Sequence, residues 1–203
     1  MVDAHTYANV YTFNPPENPV EAALNVASAV GCGTDDVLKD EKFGGEQKPT
    51  ISFLAPESRK TISYKFDLRD HREPYERLLL ISFSEWIYPV NWNSSDDYRA
   101  FMDFVIELLR QISVTFDVEY LPLFEVTDAN DVTPTGLPLH DTIERFPDFG
   151  IYSAEMIAEH GGIEKMLDHS PWWSSELENN RHLVITTPLP WHEANWHPSH
   201  STE

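Results

Sequence analysis

The stretch Thr61-Ile-Ser-Tyr-Lys-Phe-Asp-Leu68 alternates without a break: Ile62, Tyr64, Phe66 and Leu68 share one face, while Thr61, Ser63, Lys65 and Asp67 take the other. Alternation with a period of two marks a strand with one face in a core and one toward water, an arrangement that antiparallel sheets permit and parallel sheets rarely do. Residues 50–54 just before it predict a hairpin partner. Beyond a polar crossover at 69–76, residues 77–83 carry Leu78, Leu79, Leu80 and Ile81 as an unbroken apolar run, which suits a central strand covered on both faces.

Two segments have the helical period instead. Asn18 is a good N-cap, Pro19 sits at the first helical position, and Val20, Ala23, Leu24, Ala27 and Val30 recur at helical spacing until Gly31 and Gly33 end the run. Ser94 and Asp97 make a capping-box-like start to the longest helix, 96–113, whose stripe of Tyr98, Phe101, Met102, Val105, Leu108, Leu109 and Ile112 must pack across a sheet. The remaining elements are shorter. Residues 6–13 read as a first strand stopped by Pro15-Pro16, and the charged segment 34–48 with Gly44-Gly45 as a surface loop. Residues 116–126 alternate around Pro122, which predicts an edge strand. The Asp-, Pro- and Thr-rich segment 127–140 reads as an ordered surface loop rather than a linker. It is followed by a helical turn at 141–146, a strand at 149–152, a helix at 153–160 and a further turn to Leu167. Residues 172–178 and 181–187 form a hairpin around Asn179-Asn180, a pair that tolerates positive φ. The expectation is one α+β domain over 1–203, a mostly antiparallel sheet with its two main helices on one face, and 188–203 as a flexible tail.

Composition narrows the classes of function. An apolar fraction of 41% is enough for a real core, which rules against a chain disordered throughout. Asp and Glu number 34 against 14 Lys and Arg, giving a formal charge of −20, so the clustered cations that neutralise nucleic-acid phosphates are missing. Acids recur in every segment, including Asp35, Asp36, Asp40, Glu41, Asp128 and Asp131, as expected of a salt-adapted cell in whose molar salt a Debye length of roughly 3 Å removes most mutual repulsion. The alternative is concentration of the acids on a face that meets a basic partner, and the two readings are compatible. No apolar run is long enough to span a bilayer and no signal-type segment opens the chain, so the expected compartment is the cytoplasm.

Chemical constellations are sparse. Cys32 is the only cysteine, which precludes an intrachain disulfide or a thiolate cage, and its Gly31-Cys32-Gly33 setting beside Asp35 and Asp36 favours an inert thiol. His182, His192, His197 and His200 with Glu193 offer metal-ligating atoms, but His192 and His197 are five apart and bracketed by Pro190 and Pro198, which is not the helical spacing of a zinc-protease site. Nucleophile-elbow, Walker and dinucleotide fingerprints are absent. We therefore expect no catalytic residues, no cofactor and no metal. The aromatic loop with Trp86, Tyr88 and Trp92, the adjacent Asp96 and Asp97, and Trp173 with Glu176 on the last hairpin combine aromatic anchors with carboxylates, the composition of a protein-binding hot spot. These seven residues are the candidate partner contacts.

The C-terminal third reads Asp148-Phe-Gly-Ile-Tyr-Ser-Ala-Glu-Met-Ile-Ala-Glu-His-Gly-Gly162, a strand entering a Ser-led helix closed by Gly-Gly, and later Leu183-Val-Ile-Thr-Thr187. This pattern resembles the immunity proteins of bacterial polymorphic-toxin and type VI secretion systems, particularly the immunity protein 52-like group. The resemblance implies a non-enzymatic cytoplasmic protein that binds one cognate protein toxin and covers its active surface. Such families diversify their binding faces, so it assigns no residue a role. Two other readings of the residues stand beside it: a metal-dependent enzyme using the histidine-rich end, and a structural or regulatory subunit of a halophile complex.

Overall fold

A computed structural model describes residues 6–32, 39–43, 46–56, 61–67, 73, 75–83 and 95–187. Nine strands form one sheet: β1 (Thr6–Val10), β2 (Lys39–Phe43), β3 (Glu46–Leu54), β4 (Thr61–Phe66), β5 (Leu79–Phe83), β6 (Tyr120–Glu125), β7 (Phe149–Ser153), β8 (Trp173–Leu177) and β9 (Arg181–Ile185). Their order is β2-β3-β4-β5-β1-β6-β7-β9-β8, and every described pairing is antiparallel. The helices are α1 (Pro19–Ala29), α2 (Ser95–Thr115), α3 (Ala129–Val132), α4 (Ala154–Glu159) and α5 (Ile163–Leu167). The chain is an α+β protein, and none of its described helices is long and apolar enough to cross a membrane.

Over Thr61–Phe66 the alternating strand behaves as its pattern demands, but Asp67, expected on the open face, is buried, and Leu68 lies outside the described residues. Ile62, Tyr64 and Phe66 are fully buried, whereas Thr61, Ser63 and Lys65 on the other face are half-buried. Their buried face meets α1 and α2. Ala23, Val26 and Ala27 of α1, the whole predicted stripe of α2, and inward residues of β1, β3, β4, β5, β6, β7 and β9 make one continuous core. Within it Phe101 stands edge-on to Phe83 at 6.2 Å. The start of α1 is set locally, since the Asn18 side chain accepts from the Glu21 amide at 3.3 Å and Pro19 needs no donor at the first turn.

The opposite face is divided. Along β6, β7 and β9 it is covered by a second core of Tyr11, Tyr120, Leu139, Tyr152, Met156, Ile157, Met166 and Val184, so α4, α5 and the segment before β7 form a third layer that the sequence did not announce. Toward β3, β4 and β5 the same face carries Ser52, Ser63 and Ser82, with Ser52 and Ser63 hydroxyls 2.9 Å apart.

Three expectations need correction. The charged segment read as a loop contains β2, paired with β3; an outermost strand needs no buried face, so it shows no apolar alternation. The strand with Pro122 lies between β1 and β7, not at an edge. Its missing donor is accommodated because the β1 ladder is interrupted there, between the isolated Tyr11–Tyr120 bridge and the Ala8–Leu123 pair. Segment 127–140 is ordered as expected but is more than a surface loop: it folds into a 3-10 turn and α3, buries Val132 and Leu139, and is pinned by the Tyr120 hydroxyl donating to the Val132 carbonyl at 3.0 Å. The last hairpin turns at Asn179 and Asn180 with φ of 59° and 57°, the left-handed conformation those residues tolerate. Ser94 falls outside the described residues, as do His192, Glu193, His197 and His200 of the histidine-rich end, while His182 lies on β9 opposite Tyr152 and Glu176.

Candidate functional site

Trp86, Tyr88 and Trp92 lie outside the described residues. Asp96 and Asp97 are exposed in the first turn of α2, where the helix dipole favours them, and Asp96 pairs with Arg99. Trp173 and Glu176 sit on β8, but the register puts Trp173 opposite Ile185 on the face of the main core and Glu176 opposite His182 on the other face. Trp172 is also half-buried against the main core, so neither tryptophan of this pair is a free anchor. The far end of α2 approaches the β8–β9 turn through Arg110 and Glu178 at 3.7 Å, so Asp96 lies about 20 Å along the helix axis from that contact. The described candidates therefore do not converge on one patch.

What the structure does bring together is a cleft of about 390 Å³ lined by Phe13, Glu119, Leu137, Pro138, Leu139, His140, Glu155, Met156 and Glu159. Four separate pieces of chain supply it. The loop after β1 brings Phe13, and the start of β6 brings Glu119, whose amide donates to the Tyr11 carbonyl at 2.9 Å. Opposite them, α4 presents Glu155 and Glu159 one helical turn apart on one face. The fourth wall, 137–140, is closed on itself by the Thr142 hydroxyl, which donates toward the Gly136 and Leu139 carbonyls at 3.1 and 3.0 Å.

Ser153 links the helix to the cleft. Its hydroxyl accepts from the Met156 amide at 3.0 Å as the N-cap of α4 and donates to the Glu119 carboxylate at 2.7 Å. Burial pushes the Glu119 carboxyl above its ordinary value, the Ser153 donor and Arg181 pull it down, and the charges of Glu155 and Glu159 add to the rise. His140 stands between Glu159 at 2.7 Å and Asp141 at 3.3 Å, and its ring is edge-on to His160 at 4.9 Å, which in turn meets Phe146 at 5.3 Å. Glu155 makes no hydrogen bond or ion pair among the described residues. The exposed part of the lining is mixed: beside the exposed Glu155 and Glu159, Phe13 is 48% and Leu137 50% exposed, two of the three large apolar side chains left open to solvent among the described residues.

The cleft thus offers carboxylates beside exposed apolar side chains, which suits a cation carrying an apolar stem. Among the described residues no group of three or more His, Cys, Asp or Glu is placed to hold a metal ion, the four in this cleft included. The Cys32 thiol is pushed up to about 11 by burial and stays protonated in the main core. Of these features the sequence displayed only the spacing of Glu155 and Glu159 behind a Ser cap; Phe13 and Glu119 join them through strand pairing. No protein-family model, no curated protein and no solved structure matches the chain.

Proposed function

We propose that this chain is a non-catalytic binding protein of the immunity type, which recognises a basic protein toxin in the cytoplasm of a salt-adapted cell and covers it. The observation that carries the reading is the cleft between α4 and 137–140, where the exposed Glu155 and Glu159 and the half-buried Glu119 share a lining with the exposed Phe13 and Leu137. A charge of −20 supports a basic partner. In molar salt screening to about 3 Å abolishes long-range steering, so recognition has to come from groups at contact, which a cleft provides and a diffuse charged surface does not. The likeness of 148–162 and 183–187 to immunity proteins fits the same reading: those residues build β7, α4 and β9, and so one wall of the cleft.

The test is genetic and biochemical together. Expression of the neighbouring reading frame should kill cells unless this chain is co-expressed, and a pulldown at high salt should recover that one product. Death despite co-expression, or recovery of a set of housekeeping subunits instead of a single protein, overturns the reading.

A further inference from the structure

We propose that the cleft between α4 and 137–140 seats a single arginine side chain of the protein partner, its guanidinium against Glu155, Glu159 and Glu119 and its methylenes against Phe13 and Leu137. The inference deepens the function proposed above and rests on it.

Three carboxylates face the cavity and the described lining contributes no Lys or Arg, so an anion or a neutral apolar group would enter against the field or strand desolvated charge. A bare metal ion is disfavoured because the four potential ligands are not placed to hold one. A volume of about 390 Å³ lies at the small end of the roughly 300–1,000 Å³ of ligand pockets and admits one long side chain with room to spare. An organic cation on an apolar stem remains.

Guanidinium fits better than ammonium for three reasons. Its planar fork serves several acceptors at once, whereas an ammonium is a compact charge that keeps its water. Glu155 has no partner of its own, and Glu159 faces only His140, so acceptor capacity is left over. The half-exposed ring of Phe13 on the lip gives a planar cation a surface to stack on. The upward displacement of the Glu119 carboxyl, caused first by burial and then increased by Glu155 and Glu159, is consistent with a negative site short of a cation.

The probe is capped arginine, N-acetyl-arginine methylamide, titrated into the full chain labelled at its methionine methyls. The chain has four methionines, of which Met156 lines the cleft while Met102 and Met166 lie in the two cores and report on folding. Expected is a saturable shift of Met156 alone, several-fold weaker binding of capped lysine, and none of capped citrulline, which has the same shape without the charge. The double variant Glu155→Gln/Glu159→Gln, altered at two exposed positions, should keep the Met102 and Met166 signals and lose at least tenfold in affinity for capped arginine. Equal binding of citrulline, the absence of a saturable shift, or full affinity in the double variant overturns the proposal. The partner itself separates this inference from the function: capture of the toxin equally by the parent and the double variant sinks the arginine seat and leaves the binding function standing. Capped-arginine binding in a chain that protects against no toxin sinks the function and leaves the guanidinium site.

Discussion

Glu125 closes β6 opposite Thr6, and one of its carboxylate oxygens is shielded from solvent with no hydrogen-bond partner among the described residues. Burial first, and then the charge of Asp128, raise this carboxyl from 4.5 to about 7. The folded chain therefore binds a proton here that the unfolded chain has released, so stability falls as pH rises between those two values and the penalty is complete above the upper one. At about 1.4 kcal/mol per unit the full displacement corresponds to about 3 kcal/mol, but the residue is partly exposed and solvent screening leaves about 1 kcal/mol. Glu125→Gln removes the penalty. The variant should melt about 2–4 °C above the parent at pH 8 and within error of it at pH 4.5 or below. Thermal melts followed by circular dichroism at both pH values, in molar salt to suppress long-range repulsion, make the comparison. Glu176→Gln removes the same unit of charge from an exposed position on β8 and reports the general effect of charge. An equal gain for Glu125→Gln at both pH values, or a gain no larger than that of Glu176→Gln, refutes the reasoning.

Arg181 donates to the Val118 carbonyl at 3.0 Å, to the Asn179 carbonyl and to the Asp117 carboxylate, tying β9 to the turn after α2; Arg181→Ala should cost about 2 kcal/mol in urea unfolding, and Arg181→Lys should recover only part because an ammonium's donors share one atom, whereas the three acceptors are met by three separate guanidinium nitrogens. A Cβ added at Gly150 would lie 2.7 Å from the hydroxyl of fully buried Tyr152, so Gly150→Ala should cost about 1–3 kcal/mol. That same hydroxyl has no partner among the described residues, and Tyr152→Phe should be neutral or stabilising by about 1 kcal/mol in the same assay. Ser153→Ala removes both the α4 cap and the donor to Glu119; it should cost about 1–2 kcal/mol, and NMR titration should find the Glu119 carboxyl displaced further upward.

Much of the sheet was legible in local pattern. Residues 61–66 and their hairpin partner, the Asn18–Pro19 start of α1, the Ser153 cap of α4 and the Asn179-Asn180 turn each depend on interactions within a few residues, so the chain states them directly. β2 was illegible because an edge strand has no buried face to write into its sequence. The position of Pro122 was misread because whether a missing donor matters depends on where a distant strand's ladder is interrupted.

The candidate contacts divide on the same principle. Residue type marked Trp173 and Glu176 as suitable for recognition, but a strand sends residues three apart to opposite faces, and register decided which of them meets the core. By itself the sequence determined the strands with one buried face, the two long amphipathic helices and the acidic surplus. Tertiary structure alone decided that Phe13, Glu119, His140 and the α4 glutamates share one cleft, because β6 lies beside both β1 and β7 in the sheet. A cleft assembled from four separated segments leaves no periodic trace in any one of them, since each segment keeps the pattern of its own element.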